Sequence, residues 1–205
     1  MAKTDILFIH GGMTFKTQAD YLEYLSKFKS IYLEEKVTWS GKYLSDSLGN
    51  KFRVIRPNMP LKDNAKYEDW KIFFERHLPL LNKNYILIGN SLGGIFLAKY
   101  LSENKLKNKA KAVYMIAPPF DNTLSGEDLV GGFKLKSNLS LIHKNSDKII
   151  FMFSTDDDCV PISHAEKYRK KLPESEINIY KNKKGHFQVS TFPEIVKLLK
   201  EDAKP

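Results

Sequence analysis

Residues 85–94 read Tyr-Ile-Leu-Ile-Gly-Asn-Ser-Leu-Gly-Gly, and a helical pattern follows directly at 95–101. The apolar run is typical of a buried strand, so the stretch predicts a strand, a tight turn and a helix. In such a turn Ser91 would present its hydroxyl above the strand end, beside the positive end of the helix. Glycine is expected at 89 and 93 because a Cβ there would collide with the neighbouring strand or helix. The motif makes Ser91 a candidate nucleophile.

The rest of the chain alternates short apolar runs with longer helical patterns. The pattern predicts strands at 5–9, 52–56, 85–89, 112–117, 149–154 and 176–180, and helices near 18–35, 40–48, 68–81, 94–103, 163–171 and 193–201. Several runs are apolar at every position, as in parallel strands that helices cover on both faces. We therefore predict an α/β fold, a three-layer α/β/α sandwich around a mostly parallel six-stranded sheet.

A length of 205 residues predicts a single domain over 1–205, with a minimal cap domain or none. Two long connections, at 13–50 and 118–147, interrupt the alternation of strands and helices. In a fold of this kind each would lie near the carboxyl ends of the strands, where a lid or a binding segment is expected. A surface excursion with no role explains the second connection equally well, so both interpretations stay open.

Composition restricts the class of protein. The net charge is +9 and comes almost entirely from dispersed lysines, which predicts a solvated surface, and no nucleic-acid motif accompanies it. No apolar run is long enough for a signal peptide or a membrane span. The single cysteine, Cys159, excludes an internal disulfide and argues against a cysteine-based zinc site. A cytoplasmic location is expected, and the residues call for no metal or organic cofactor.

A serine nucleophile needs a base, and the base needs an orienting acid that lies between the two in the chain. Three adjacent carboxylates, Asp156 to Asp158, follow the fifth predicted strand. The spacing Asp-x-x-Val-Pro selects Asp157 as the acid and leaves its two neighbours as turn or capping residues. Asp121, after the fourth predicted strand, is the fallback.

The base candidate follows the sixth predicted strand. His186 comes after Gly185 and before Phe187. The glycine lets the loop turn, so that the imidazole can swing over the sheet toward Ser91, and the phenylalanine can pack beneath the ring. His77 and His164 fall in helical patterns and are expected at the surface.

A tetrahedral intermediate also needs backbone donors for its oxyanion. One expected donor is the N–H of Leu92, the residue after the serine. The other should come from the loop after the first strand, His10-Gly11-Gly12-Met13, with Gly12 as first choice and Met13 as second. His10 is expected to brace that loop.

Together these residues resemble the α/β-hydrolase superfamily. The resemblance lies in four motifs that occur in the family's order: His-Gly-Gly at 10–12, Gly-Asn-Ser-Leu-Gly at 89–93, Ser-Thr-Asp-Asp-Asp-Cys-Val-Pro at 154–161 and Gly-His-Phe-Gln at 185–188. The short chain looks most like the small serine hydrolases related to retinoblastoma-binding protein 9. Two features depart from that group: Asn90 stands where histidine is common, and the connection at 13–50 is longer.

The resemblance implies a Ser91–His186–Asp157 triad that hydrolyses an ester, thioester or amide of a small acyl substrate through an acyl-enzyme, most like a carboxylesterase. It implies no cofactor and no metal. Two alternatives stay open: a protein-binding module on a hydrolase scaffold with little or no turnover, and an acyltransferase on the same scaffold. A protein partner is therefore possible in principle, while nucleic acid is not expected as one.

Overall fold

The computed structural model describes residues 3–27, 37–124 and 128–204. These residues form a six-stranded sheet in which every neighbouring pair of strands is parallel. The strands are β1 (Thr4–Ile9), β2 (Phe52–Ile55), β3 (Tyr85–Asn90), β4 (Ala112–Ile116), β5 (Ile149–Ser154) and β6 (Glu176–Tyr180). Their order across the sheet is β2-β1-β3-β4-β5-β6. The predicted α/β fold and each predicted strand are confirmed, with ends shifted by at most one residue.

Six helices of the described residues lie where the sequence pattern predicts them, and the short helix Ile142–Asn145, within the connection at 118–147, was not predicted. In chain order the helices are α1 (Gln18–Lys27), α2 (Leu44–Leu48), α3 (Tyr67–His77), α4 (Leu92–Glu103), α5 (Ile142–Asn145), α6 (Ser163–Lys171) and α7 (Pro193–Asp202). A π-helical turn, Trp39–Tyr43, precedes α2, and the 3-10 turn Leu78–Leu80 extends α3. The first helix was predicted over 18–35, and the part of it at 28–35 lies outside the described residues. Among the described residues no helix is long and apolar enough to cross a bilayer.

The core is divided into two halves by the sheet, because successive strand side chains point to opposite faces. Leu7, on one face, belongs to a cluster with α3, α4 and α6, and Ile6, on the other, belongs to a cluster with α2 and α7. The four central strands, β1, β3, β4 and β5, are buried on both faces, as their uninterrupted apolar runs indicated, whereas the edge strands β2 and β6 are partly exposed. The molecule is thus the predicted three-layer sandwich, and no separate cap domain is seen in the described part of the chain.

The strand order reverses direction at β1, since β2 lies on one side of it and β3 on the other. The loops that leave β1 and β3 therefore part at a crevice, which is where open α/β sheets bind ligands. The two long connections meet near this edge: the Thr14 hydroxyl donates to Asp128 O at 2.5 Å and accepts from Val130 N at 2.9 Å. In the second connection Phe133 is fully buried, so part of that segment belongs to the core. A lid role for either connection stays a prediction.

His164 departs from its expected place at the surface. It lies in α6 and is fully buried. Its Nδ1 accepts from Phe120 N at 2.8 Å, so Nε2 carries the proton and donates to Thr123 O at 3.0 Å. The helical pattern alone did not show that the segment after β4 folds back over this face of α6. The imidazole ties that segment to the helix.

Asp5 is a second buried polar group, at the amino end of β1. Its carboxylate accepts from Arg53 Nε at 2.8 Å and Nη2 at 2.6 Å, and from Asn82 N at 2.6 Å. Arg53 lies in β2 and Asn82 just before β3, so one carboxylate joins three neighbouring strands. A buried charge is tolerated only when it is paired and hydrogen-bonded in this way.

We expect Asp5→Ala to lower the free energy of unfolding by about 3 kcal/mol, because it leaves partners of a buried pair without their acceptor. Asp147→Ala is the control, since the Lys109–Asp147 ion pair is exposed on both sides, and it should change that free energy by less than about 0.5 kcal/mol. Urea unfolding followed by circular dichroism measures both. Equal effects of the two substitutions would contradict the assignment.

Burial lowers the pKa of His164 because the imidazolium form is disfavoured inside the protein. The unfolded chain, with a histidine pKa of about 6.5, then binds a proton that the folded chain does not. This contribution to stability is present above about pH 6.5 and is lost as the pH falls toward the lower folded-state pKa. We expect wild-type protein to lose unfolding free energy between about pH 7 and about pH 5 more steeply than His164→Gln. Parallel urea-unfolding profiles would refute this.

Candidate active site

Ser91 occupies a strained turn between β3 and α4. Its backbone has φ 53° and ψ −119°, a region that residues with a Cβ rarely adopt. Its amide donates to Ile116 O at the end of β4, at 2.7 Å, and its carbonyl accepts from Gly94 N at 2.8 Å. These bonds hold the turn against its strain. The geometry is that of a nucleophile elbow, with the first turn of α4 directly behind the serine.

The glycines of the elbow are required by close backbone contacts. A Cβ on Gly89 would lie 2.4 Å from Gly93 O, and one on Gly93 would lie 2.3 Å from Ile9 O. A Cβ on Gly94 would meet the Pro118 Cβ at 2.8 Å. No side chain fits at such distances, so α4 can begin this close to β1 and β3 only with glycine there. This confirms the steric reason expected for Gly89 and Gly93.

Asp157 and His186 are in direct contact. The imidazole Nδ1 lies 2.8 Å from Asp157 Oδ2 and 3.0 Å from Oδ1. The carboxylate also accepts from the amides of Cys159 at 3.0 Å and Val160 at 2.9 Å, and its side chain is only 1% exposed. Because an ionised carboxylate only accepts, Nδ1 must carry the proton of this hydrogen bond. The neutral ring then has its lone pair on Nε2.

The other ring nitrogen of His186, Nε2, is buried. Among the described residues, Nε2 has no hydrogen bond, and none is formed between it and the Ser91 hydroxyl. A buried polar atom without a partner is costly and calls for an explanation. A basic nitrogen held ready for a proton from another group is one such explanation, and catalytic hydrogen bonds often form fully only when substrate binds.

The loop after β1, residues 10–13, lies beside the elbow and is called the glycine loop below. A Cβ on Gly11 would lie 3.2 Å from Ser91 Cβ, and one on Gly12 would lie 3.2 Å from Leu92 Cδ2 and 2.6 Å from Lys62 O. The Met13 amide already donates to Lys62 O at 2.8 Å, so it is engaged within the protein. Of the two candidates in this loop, only Gly12 remains a candidate donor. The Leu92 amide belongs to the first turn of α4, whose N–H groups have no acceptors within the helix.

His10 braces the glycine loop. Its Nε2 accepts from Met59 N at 2.9 Å, which leaves Nδ1 to donate to Gly11 O at 2.5 Å. Burial lowers the pKa of His10, so the neutral ring that this pattern requires is the favoured form. The ring also meets Trp70 edge to face, with centroids 5.7 Å apart.

Asp156 binds backbone amides of a segment that is distant in the chain, which an ordinary turn residue does not do. Its carboxylate accepts from the Ser154 hydroxyl, from Lys183 N at 3.0 Å and from Gly185 N at 3.0 Å. The hydroxyl of Ser154, followed by these amides, lowers the pKa of Asp156 to about 2 despite some desolvation. The expectation that it serves only its own turn was wrong, because its amide partners lie 27 and 29 residues further along the chain.

The fallback acid, Asp121, has other partners. Both of its carboxylate oxygens lie 2.8 Å from Lys167 Nζ, and Oδ1 also accepts from the Thr123 hydroxyl at 2.6 Å. It is His186 and Asp157 that meet, so the spacing argument selected the carboxylate that contacts the imidazole. Among the described residues no group of three or more His, Cys, Asp or Glu is arranged to hold a metal ion.

Comparison with known proteins gives a family and a fold. The family model described as serine hydrolase matches residues 35–201. Among solved structures, the ydeN gene product of Bacillus subtilis is 17% identical, with 98% of each chain covered and a TM-score of 0.77. A putative YdeN-like hydrolase from Pectobacterium atrosepticum is 15% identical, with 98% of this chain and 91% of that chain covered and a TM-score of 0.65.

An esterase from Exiguobacterium antarcticum is 13% identical, with 100% of this chain and 93% of that chain covered and a TM-score of 0.58. No curated protein sequence matches significantly. At such identities the structural matches establish the α/β-hydrolase fold alone, and the narrower resemblance to relatives of retinoblastoma-binding protein 9 stays a prediction. Because the family model spans most of the sequence, the chain belongs to the serine hydrolase family, and it has the α/β-hydrolase fold.

Proposed function

We propose that this serine hydrolase cleaves an ester, thioester or amide of a small acyl substrate through a covalent acyl-enzyme. Ser91 is the nucleophile, His186 the general base and acid, and Asp157 the residue that orients the imidazole. The observation that carries the proposal is the His186–Asp157 hydrogen bond at 2.8 Å, beside a buried Nε2 that has no hydrogen bond within the described part of the chain. In the neutral tautomer with the proton on Nδ1, that nitrogen carries the lone pair that a general base needs.

In the first half-reaction the Ser91 Oγ attacks the substrate carbonyl carbon as Nε2 of His186 takes the hydroxyl proton. The carbonyl oxygen becomes an oxyanion, and the amides of Gly12 and Leu92 donate to it. The imidazolium is stabilised by the Asp157 carboxylate. Collapse of the intermediate breaks the bond to the leaving group, which receives the proton from Nε2. The acyl group remains on Ser91.

In the second half-reaction water replaces the leaving group. Nε2 takes a proton from the water as its oxygen attacks the acyl carbon, and a second tetrahedral intermediate uses the same two amides. The Ser91 oxygen leaves and recovers its proton from His186. The acid product departs, and the enzyme returns to its starting state. We propose that the reaction is carboxylesterase-like. A single domain over 1–205 carries it out, and it needs no cofactor.

Labelling with a fluorophosphonate probe tests the nucleophile. We expect the wild-type protein to be labelled covalently, and Ser91→Ala to abolish the label because the attacking oxygen is gone. Ser190→Ala is the control, since this serine is exposed and follows His186 closely, and it should label like wild type. Hydrolysis of p-nitrophenyl esters of rising chain length, compared with aminoacyl amides, then defines the acyl group and the leaving group.

Two results would reject the proposal. Folded wild-type protein that neither reacts with the probe nor hydrolyses any substrate would favour a binding module. Labelling that persists in Ser91→Ala would place the nucleophile elsewhere. Product analysis with an added alcohol acceptor separates a hydrolase from a transferase.

Substitution of the carboxylates tests the orienting acid. We expect Asp157→Asn to lower kcat by about 10⁴-fold, because an amide can donate to Nδ1 and so favours the wrong imidazole tautomer. Asp158→Asn should change kcat by less than about threefold, since this neighbouring carboxylate is exposed. Steady-state ester hydrolysis measures both, with circular dichroism as the control for folding. Equal losses in the two variants would contradict the role of Asp157.

A further inference from the structure

The loop that carries His186, residues 181–187, has an unusual backbone and is called the histidine loop below. Lys184 has φ 54°, Gly185 φ 73° and Phe187 φ 52°, so residues with left-handed backbone flank the histidine on both sides. Two of these three have a Cβ and are strained in that conformation. Such a loop keeps its shape only when the surrounding structure holds it, so the position of the imidazole depends on what anchors the loop.

The first anchor of the histidine loop is the side chain of Asp156. The Asp156 carboxylate accepts from the amides of Lys183 and Gly185, each at 3.0 Å. Asp156 directly precedes the residue that binds the imidazole. The turn after β5 therefore holds the histidine loop twice, once through its backbone and once through the His186 ring.

The second anchor is the side chain of Lys183. Its ammonium lies 4.5 Å from the ring centroid of Tyr180 and 4.5 Å from that of Phe192, and its Nζ is 2.6 Å from Glu194 Oε1. The side chain is only 9% exposed. A lysine so enclosed is unusual, and both the aromatic faces and the carboxylate stabilise its charge. Glu194 lies in the first turn of α7, so this cation joins the histidine loop to that helix.

Tyr180 and Phe192 also contact the histidine loop on the other side of His186, through Phe187. Phe187 packs on Phe192 with centroids 5.5 Å apart and on Tyr180 at 6.1 Å. Residues 183 and 187 are thus both seated on the pair Tyr180 and Phe192, and His186 lies between them in the chain. A neighbouring lysine, Lys181, is exposed and makes no comparable contact among the described residues.

We infer that Lys183 is a positioning residue for catalysis: its caged ammonium, paired with Glu194, holds the histidine loop so that His186 keeps its hydrogen bond to Asp157. The inference rests on the proposed function for its kinetic consequence. Methionine has similar length and fits an apolar cage, but it cannot pair with Glu194. Arginine can keep both the charge and the stacking on the rings. Comparing these two replacements distinguishes the effect of the positive charge at position 183 from the effect of side-chain volume.

The kinetic test compares Lys183→Met, Lys183→Arg and the control Lys181→Met in ester hydrolysis, with rates divided by the number of sites titrated with the fluorophosphonate probe. We expect Lys183→Met to lower kcat by about tenfold to a hundredfold with KM within about twofold of wild type, because a small misplacement of the base affects the transition state most. Lys183→Arg should recover most of that loss, and Lys181→Met should match wild type.

A second readout does not require turnover. The proton between His186 Nδ1 and Asp157 gives a downfield NMR resonance, assigned by its loss in Asp157→Asn. We expect this signal to broaden or vanish in Lys183→Met and to return in Lys183→Arg. Glu194→Gln, at the exposed end of the cage, should weaken it to a lesser extent and serves if Lys183→Met fails to fold.

The outcomes separate the two proposals. The positioning role would be overturned if Lys183→Met kept both the wild-type kcat per titrated site and an unchanged resonance. The same result in Glu194→Gln would overturn it where Lys183→Met fails to fold. Either result would leave the serine hydrolase mechanism standing. A wild-type protein without turnover or labelling would reject the mechanism, while the resonance would still decide whether Lys183 holds the imidazole. A thermal destabilisation of Lys183→Met with normal kcat per site and a normal resonance would assign the cage to stability alone.

Discussion

The close approach of α4 to the ends of β1 and β3 is the constraint on which the site depends. Gly93 lies so near Ile9 O that a Cβ would come within 2.3 Å of it, and Gly89 is equally tight against Gly93 O. With that contact in place, the backbone of Ser91 adopts a φ of 53°, and the glycine loop lies against both Ser91 and Leu92. The proposed nucleophile and the proposed oxyanion donors are therefore brought together by backbone contacts.

The proposed acid and base are positioned by a different kind of interaction, a set of contacts between side chains and backbone. The turn after β5 presents two adjacent carboxylates to one segment: Asp157 binds the imidazole and Asp156 binds the backbone beneath it. The ion pair between the buried Lys183 and Glu194 adds the third contact, from α7. Together these contacts offset the backbone strain around His186.

Much of this could be predicted because the relevant information is local. Strand positions follow from runs that are apolar on both faces, and the elbow follows from glycine spacing and the helix after it. Other features could not be predicted because their partners are distant in the chain. His164 looked like a surface residue until the segment after β4 was seen to cover it, and Asp156 looked like a turn residue until its amide partners at 183 and 185 appeared.

The amino-acid sequence by itself determined the α/β alternation, the serine elbow and the order Ser91, Asp157, His186, because each depends on residue type and spacing over a few positions. Tertiary structure alone decided which amide of the glycine loop is already engaged, that Asp156 binds the backbone of the histidine loop, and how Lys183 is enclosed by aromatic rings. Those outcomes depend on distances between segments that are far apart in the chain. Distances of that kind are set by how helices and loops pack on the sheet, and a linear pattern of residues does not contain them.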